Sequence, residues 1–184
     1  GYFLSILPLA LPGLAIGLAY IFFFNKAELS IPFTNIYFSN PLHFLYGTFW
    51  ILILANIIHF FSVNFYTANT ALKKLDKEFE PVSETMNVPF YKTFTRVTVP
   101  MSFSAIMEMF IYFFINSMTT ISAVIFLYTS ETQPASVAIV TMMDEGNTES
   151  AAAMSIIIIL TNIIVRFSYE FFTKSIRKRT EKWQ

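Results

Sequence analysis

The sequence has no cysteine and few charged residues. Without cysteine, the 184-residue chain cannot form a disulfide framework, a thiolate zinc site or a thiol nucleophile. Charged residues make up only 13% of the chain, whereas soluble domains carry about 25%. The 12 Lys and Arg are balanced by 12 Asp and Glu, so the chain lacks the basic surface of a nucleic-acid-binding protein. Together these shortages indicate a chain that lies in a membrane.

Long apolar runs are what the sequence has instead. Hydrophobic residues make up 55% of it and include 22 Phe. A transmembrane helix needs about 20 consecutive, mostly apolar residues, and four segments meet this length: 2–24, 42–66, 101–128 and 150–172. The first has no basic stretch before it and no small-residue cleavage site, so we interpret it as a span and not as a signal peptide. The predicted fold is therefore all-α, a polytopic bundle of transmembrane helices.

The distribution of Lys and Arg predicts the orientation of these spans. Five lie in segment 67–99 and six lie between Arg166 and the C-terminus, whereas loop 25–41 has one and loop 129–149 has none. Short cytoplasmic loops are enriched in Lys and Arg. We therefore expect both basic segments, and Gly1, on the cytoplasmic side and the other two loops outside.

The predicted cytoplasmic loop, residues 67–100, has the pattern of short helices. Apolar residues recur at steps of three and four, as on one face of a helix: Leu72, Leu75, Phe79, Val82 and Met86. Pro81 is expected to kink or divide this helix, because it lacks a backbone donor and clashes with the preceding turn. Asn87 is expected to end the helix in the left-handed conformation.

Pro89 can then open a second short helix whose aromatic side chains, Phe90, Tyr91 and Phe94, are exposed near Lys92 and Arg96. The pattern alone fits two alternatives. One is an amphipathic hairpin that rests on the lipid surface or on its own membrane domain. The other is a docking element for a cytoplasmic partner, anchored by aromatic residues.

Segment 80–100, EPVSETMNVPFYKTFTRVTVP, resembles the EAA loop of ABC-importer permeases. That loop has the pattern E-A-A, three residues and G, followed by a run that ends in a V-x-L-P-like motif. Residues 81–83 occupy the E-A-A positions and Asn87 occupies that of the glycine. The later positions match at Phe94, Val97, Val99 and Pro100. Asn for Gly is conservative at a helix cap, but Pro81 for Glu is not, although Glu80 lies one residue earlier.

The resemblance extends over nearly the whole chain. LPGLAIGLAYIFFF, TALKKLDKEFE and ASVAIVTMMDEGNTESAAAMS are similar to the family in order and spacing. Among its subfamilies, the chain is most similar to 2-aminoethylphosphonate permeases, through NSMTTISAVIFLY and the ASVAIV, DEG and AAAMS motifs. Iron(III)-type permeases are the nearest alternative. Residues 1–184 are thus expected to be the C-terminal part of a permease domain in a bacterial inner membrane.

The resemblance implies partners and a coupling site. The partners are a cytoplasmic ABC ATPase dimer, a second permease subunit or half, an extracytoplasmic substrate-binding protein and the lipid bilayer. No G-x-x-x-x-G-K-[ST] motif is present, so we expect the chain to couple to ATP hydrolysis without catalysing it, and to need no cofactor or metal. The residues implied in coupling are Glu80, Pro81, Val82, Ser83, Glu84, Asn87, Val88, Pro89, Phe90, Tyr91 and Phe94.

A polar stripe follows one face of the third predicted span. Its members recur at steps near 3.6 residues: Glu108, Tyr112, Asn116, Thr119, Thr120 and Ala123. Such a stripe fits the lining of a substrate pathway, and an intramembrane carboxylate usually faces protein or a wet cavity. The alternative is hydrogen bonding that only holds the bundle together. Glu108 would also repel an anionic phosphonate unless it were neutral or paired.

Other intramembrane residues are interpreted as structural. Gly13 and Gly17 form a G-x-x-x-G motif that allows close packing, and the nearby Pro8 and Pro12 suggest a kink. His59 is interpreted as a satisfied structural histidine, since the two histidines of the chain form no ligand cluster. Arg166 and Glu170 can pair or extend toward the headgroups.

Two other classes of function fit the sequence less well. An intramembrane enzyme would have Glu108 and His59 as its only conceivable acid–base pair, and no catalytic constellation supports it. An ion-coupled carrier would use Glu108 as a proton site. It would be expected to show inverted repeats, which the sequence lacks, and it would leave the EAA-like loop unexplained.

Overall fold

The computed structural model describes the backbone of residues 2–30, 37–75 and 79–180, with the side chains of 4–30, 37–75 and 81–174. Helices dominate the described residues, which confirms the predicted all-α class. In chain order they are α1 Tyr2–Ala10, α2 Gly13–Phe24, α3 Phe49–Lys73, α4 Phe79–Thr85, α5 Phe90–Thr93, α6 Val99–Met101, α7 Phe103–Thr119, α8 Ala135–Asp144 and α9 Thr148–Thr180.

Two helices are individually long and apolar enough to cross a membrane, α3 and residues Thr148–Lys174 of α9. Two further spans are possible as bent pairs. The helix axis bends by 109° between Leu4–Ala10 and Gly13–Phe24. It bends by 69° between Phe90–Met101 and Phe103–Thr119. The described residues therefore provide four spans if each bent pair crosses as one. The first bend lies at Pro12, which precedes α2, in agreement with the predicted kink.

The helix bounds differ from the predicted spans in the middle of the chain. The second span was predicted over 42–66, but α3 begins at Phe49 because Gly47 has a φ of +76°, which does not continue a helix. α3 also runs on to Lys73, since residues 67–73 include several good helix formers. The third span was predicted over 101–128, but α7 ends at Thr119. Thr119, Thr120 and Ser122 follow one another closely there, and hydroxyl side chains compete for backbone hydrogen bonds.

A short strand pair follows α2 and was not predicted. β1 (Glu28–Ser30) pairs antiparallel with β2 (Tyr37–Ser39), with Leu29 opposite Phe38. Asn40 joins this pair to the end of α2. Its Nδ2 donates to the carbonyls of Phe23 at 2.8 Å and Lys26 at 2.9 Å, and its Oδ1 accepts from the Leu42 amide at 3.0 Å. The side chain of Asn40 thus satisfies carbonyls that the helix end leaves without a partner.

The chain divides into two compact units, and the first comprises residues 1–62 and 115–161. Its buried core is apolar and consists of Phe24, Ile51, Leu52, Ala55, Val124, Leu127 and Val137. Gly13 and Gly17 pack against the turn segment after α7. A Cβ on Gly17 would lie 2.8 Å from the Ala123 carbonyl oxygen, and one on Gly13 would overlap the Ser122 hydroxyl. This supports the predicted close-packing role, with a turn instead of a helix as the partner.

The second unit comprises residues 63–114 and 162–184. It holds the C-terminal part of α3, the short helices α4 to α6, the first two-thirds of α7 and the described end of α9. The loop segment, defined here as residues 79–101, and the predicted carboxylate Glu108 both lie in this unit.

Candidate functional site

The first half of the loop segment is a short helix with a defined end. Pro81 is the third residue of α4. N–H groups in the first turn of a helix have no intrahelical acceptor, so a proline there costs the helix no hydrogen bond. The prediction that Pro81 divides a longer helix was therefore wrong, because α3 already ends at Lys73 and α4 begins at Phe79. The apolar stripe from Leu72 to Met86 accordingly belongs to two helices.

Asn87 ends α4 as the sequence predicted. It has a φ of +57°, the left-handed conformation. The Val88 amide donates to the Ser83 carbonyl at 2.9 Å, and the Asn87 amide donates to the Glu84 carbonyl at 3.0 Å. These two bonds form a Schellman motif, which satisfies the last carbonyls of the helix.

The second half of the loop segment begins at Pro89, whose ψ of 140° turns the chain into α5. The rings of Phe90 and Phe94 stack with centroids 5.9 Å apart and planes at 26°. A widened, π-helical turn, Phe94–Thr98, then precedes Pro100. Pro100 has no N–H to complete an α-helical ladder, and π-helical turns frequently lie at functional sites.

The apolar side chains of the loop segment are exposed, as predicted for its aromatic residues. Met86 is 70% exposed, Phe90 71% and Tyr91 63%, while Thr93 of the same short helix as Phe90 and Tyr91 is buried. Exposed apolar surface of this kind is found at protein–protein and membrane interaction sites.

The other loop residues that the resemblance singled out differ in exposure. Pro81, Val82, Glu84, Asn87, Pro89 and Phe94 are exposed, whereas Ser83 and Val88 are half-buried. The side chain of Glu80 lies outside the described residues.

The predicted polar stripe is shorter than expected. Glu108, Tyr112, Asn116 and Thr119 lie on α7, but the helix ends before Thr120 and Ala123. The Thr119 hydroxyl donates to the Ile115 carbonyl of its own helix at 3.1 Å. The Thr120 carbonyl accepts from the buried Ser136 hydroxyl at 2.8 Å. Glu108 and Tyr112 belong to the second unit, and Asn116, Thr119 and Thr120 to the first.

Glu108 and Tyr112 line a cavity of about 710 Å³ within the second unit. α3 contributes one face of its last turns, which includes Tyr66 and Thr70, and Lys74 follows on the same face. Ser102, between α6 and α7, also lines it, as do Thr67 of α3 and Ser104 of α7. We refer to this space as the Glu108 cavity.

Among the described side chains, the charges of the Glu108 cavity form no ion pair. Among the described side chains the one ion pair is on α9, between Arg166 Nε and Glu170 Oε1 at 3.3 Å, as predicted. Glu108 and Lys74 therefore line the same cavity without forming an ion pair within the described part of the chain. The buried Ser102 Oγ likewise has no hydrogen-bond partner there.

Lys74, Thr70 and Ser102 were not anticipated as site residues. Tyr66, Thr70 and Lys74 recur at steps of four, which is a helical polar face. The predicted span ends at Tyr66, so this face continues into the segment predicted as a cytoplasmic loop.

His59 differs from its predicted role in one respect. Its Nδ1 is buried without a hydrogen-bond partner among the described residues, so the prediction of a satisfied histidine was wrong. Its Cε1 would lie 3.0 Å from a Cβ on Gly13, so the ring fills the space that the glycine leaves. In the described part of the chain no three His, Asp or Glu come together as a metal site.

Comparison with known proteins identifies a family that the chain matches. Residues 1–178 match the family described as binding-protein-dependent transport system inner membrane component. The ferric transport system permease protein FbpB of Actinobacillus pleuropneumoniae is 28% identical over 166 residues, 90% of this chain and 22% of the relative.

Two further relatives differ in the substrate for which they are named. AfuB of Escherichia coli, named for ferric transport, is 27% identical over 109 residues, 59% of this chain and 91% of the relative. PhnV of Salmonella typhimurium, named for 2-aminoethylphosphonate transport, is 21% identical over 173 residues, 94% of this chain and 60% of the relative.

The chain thus spans only about a fifth of the FbpB relative that it matches. The family match nevertheless covers almost all of its residues, and the helical structure agrees with it. The chain belongs to the family of inner membrane components of binding-protein-dependent transport systems.

Proposed function

We propose that this chain is part of the transmembrane permease subunit of an ATP-driven ABC importer. In this function it forms a section of the substrate pathway and couples to a cytoplasmic ATPase dimer. It works with a second permease subunit or half, and an extracytoplasmic binding protein delivers the substrate. The observation that carries the proposal is the loop segment, an ordered structure whose apolar side chains are exposed.

The loop segment has the properties of a docking element. The Schellman motif at Asn87 and the extended Pro89 fix the angle between α4 and α5. Met86, Phe90 and Tyr91 are exposed on this fixed frame. Aromatic residues and Met are enriched in the cores of protein interfaces, and a rigid frame lowers the entropy lost on binding. A partner can therefore transmit movement to α7 through residues 94–101.

The pathway is proposed to follow the polar face of α7. Glu108 and Tyr112 line the Glu108 cavity in the second unit, and Asn116, Thr119 and Thr120 lie near the end of α7 in the first. ATP hydrolysis is assigned to the separate ATPase subunit, because this chain lacks a phosphate-binding loop motif.

Two substrate classes are supported by different observations. Relatives named for ferric transport have the higher identities, 27% and 28%. The relative named for 2-aminoethylphosphonate transport is matched over 94% of this chain. We propose 2-aminoethylphosphonate as the first candidate substrate and iron(III) as the second.

Uptake in cells that express the native transport system tests this function. Labelled 2-aminoethylphosphonate and labelled ferric citrate are supplied separately, with and without depletion of ATP. We expect ATP-dependent uptake of one of them and loss of that uptake in Tyr91→Asp, because a carboxylate at this exposed position disrupts an apolar contact.

Tyr91→Phe is the matched control, since it keeps the ring, and uptake should persist. Membrane insertion of each variant is checked by fractionation. Uptake that continues without ATP, or in Tyr91→Asp, would contradict the proposal. The former result would favour an ion-coupled carrier with Glu108 as its proton site.

A further inference from the structure

The segment between α2 and α3 has exposed aromatic side chains. α2 ends at Phe24 and α3 begins at Phe49, and both helices belong to candidate spans. The segment between them therefore leaves and re-enters the bilayer at one surface, on the side predicted to be extracytoplasmic. This segment and the first turn of α3 contain exposed rings that we call the aromatic belt: Tyr37, Phe38, Phe44, Phe49 and Trp50.

Hydrogen bonds and packing fix this segment to the first unit. His43 Nδ1 donates to the Phe24 carbonyl at 2.8 Å, at the end of α2. Asn40, whose side chain bonds two further carbonyls there, is buried. Leu45 and Tyr46 are partly buried against the apolar core of the unit. The aromatic belt is therefore held in place from within, while its own rings remain exposed.

Exposed rings face both sides of the strand pair. Successive residues of a strand point to opposite faces of the sheet, and in β2 both Tyr37 and Phe38 are exposed. A protein that docks on a strand pair covers one face of it, whereas the headgroup region of a bilayer can surround both. The exposure of both rings therefore favours lipid as the partner of the aromatic belt.

The sequence around these rings carries no charge. From residue 37 to residue 50 it contains no Asp, Glu, Lys or Arg, whereas the rim of a protein–protein interface is polar. A soluble partner that binds and leaves would also expose the rings to water between its visits, which is unfavourable for apolar surface. Trp and Tyr are instead enriched at membrane–water interfaces, where their rings lie at the level of the headgroups.

We propose that the strand pair and the first turn of α3 form a lipid anchor, with the aromatic belt in the headgroup region of the outer leaflet. The partner of this surface is the bilayer and not the extracytoplasmic binding protein. Interfacial aromatic residues set the tilt and rotation of the helices that carry them, so the anchor holds the start of α3 at the membrane surface. The inference goes beyond the proposed function, since it depends only on α2 and α3 lying in the membrane.

The depth of Trp50 in the bilayer tests the anchor. The complete permease with its ATPase is placed in nanodiscs of phosphatidylcholine whose acyl chains are brominated either near the headgroup or near the terminal methyl group. Bromine quenches tryptophan fluorescence on contact, and iodide serves as the quencher in water. The signal of Trp50 is the difference between the wild type and Trp50→Phe, a change that keeps an aromatic ring.

We expect the shallow bromines to quench Trp50 more strongly than the deep ones, and iodide to remove little of its fluorescence. Two variants made in Trp50→Phe calibrate the depth. Leu160→Trp places a ring at an exposed position near the middle of the span on α9, and deep bromines should quench it most. Glu145→Trp places one at the exposed end of α8, and iodide should quench it most.

The two faces of β2 are tested separately. Tyr37→Trp and Phe38→Trp, each made in Trp50→Phe, place one reporter on each face of the strand. The anchor predicts that the shallow bromines quench both. Stronger quenching by iodide than by lipid at either position would overturn the inference and favour a surface that is open to a soluble partner.

Two results for Trp50 itself would also overturn the inference. Strongest quenching by the deep bromines would place the ring in the hydrocarbon core, and no quenching by any of the three quenchers would place it beneath another protein. Recovery of the ATPase in the same preparation reports separately on the proposed function. ATPase present without shallow quenching overturns the anchor alone, and shallow quenching without ATPase overturns the proposed function alone.

Discussion

Single residues set the shape of the loop segment. Asn87 has a positive φ at the end of α4, and Pro89 starts α5 two residues later. Both act through their own backbone preferences. Asn tolerates the left-handed conformation better than other residues that have a Cβ, and Pro fixes φ at the start of a helix.

A change at Asn87 tests this role. Asn87→Val should destabilise the turn by about 1–2 kcal/mol, because a β-branched residue pays the full cost of the left-handed conformation. Asn87→Gly should leave the turn intact. Hydrogen exchange of the amides of residues 83–93 in the purified permease measures the difference. Equal exchange in the two variants would contradict the role given to Asn87.

Some residues of the candidate site could be predicted from local rules, and others depend on tertiary structure. Asn87 and Pro89 could be assigned from the sequence because their effects extend over only a few residues. Lys74 and Ser102 could not, because the cavity that they line exists only once α3 and α7 have packed. His59 was misjudged for the same reason, since hydrogen-bond satisfaction is a property of the packed structure.

At the level of elements, α7 connects the loop segment to the polar residues of the third predicted span. It carries Glu108 near its start and Thr119 at its end. The sequence predicted its beginning closely but placed its end nine residues too late. Apolar residues continue past Thr119, and composition alone does not distinguish a helix from the buried turn that packs against Gly13 and Gly17.

The polar face of α7 can be tested at its outer end. Thr119→Leu should slow uptake severalfold, because it places an apolar side chain on the proposed pathway. Thr161→Leu on α9 is a matched control, since both hydroxyls donate to the carbonyl four residues earlier in their own helix, at 3.1 and 2.8 Å. Uptake is measured per amount of inserted protein.

The comparison of these two variants separates the pathway from a packing role. Recovery of the ATPase should be normal in both, so that a loss of uptake reflects the pathway and not assembly. Equal uptake by Thr119→Leu and Thr161→Leu would favour hydrogen bonding that only holds the bundle together.

At the level of the whole molecule, composition, charge distribution and the EAA-like loop led to the family that the comparison then showed. The substrate did not follow in the same way, because the relatives include permeases named for both ferric ions and 2-aminoethylphosphonate. Family membership rests on a match that covers residues 1–178, almost the whole chain. Identities of 21–28% to relatives named for different substrates do not distinguish between those substrates.

The central claim is that the loop segment binds an ATPase subunit. The most direct measurement is isolation of the native chain from its membranes in mild detergent, with the co-purified proteins identified by mass spectrometry. Phe90→Ala is compared with Phe171→Ala, because both side chains are largely exposed, at 71% and 78%, but Phe171 lies on α9.

We predict that an ATPase subunit is recovered with the wild type and with Phe171→Ala, and is lost or strongly reduced with Phe90→Ala. Removing one aromatic anchor from an interface typically costs about 2 kcal/mol or more, which is enough to disrupt recovery. Recovery of the intact chain without any ATPase would contradict the account. Equal recovery of the ATPase with the wild type, Phe90→Ala and Phe171→Ala would contradict it as well.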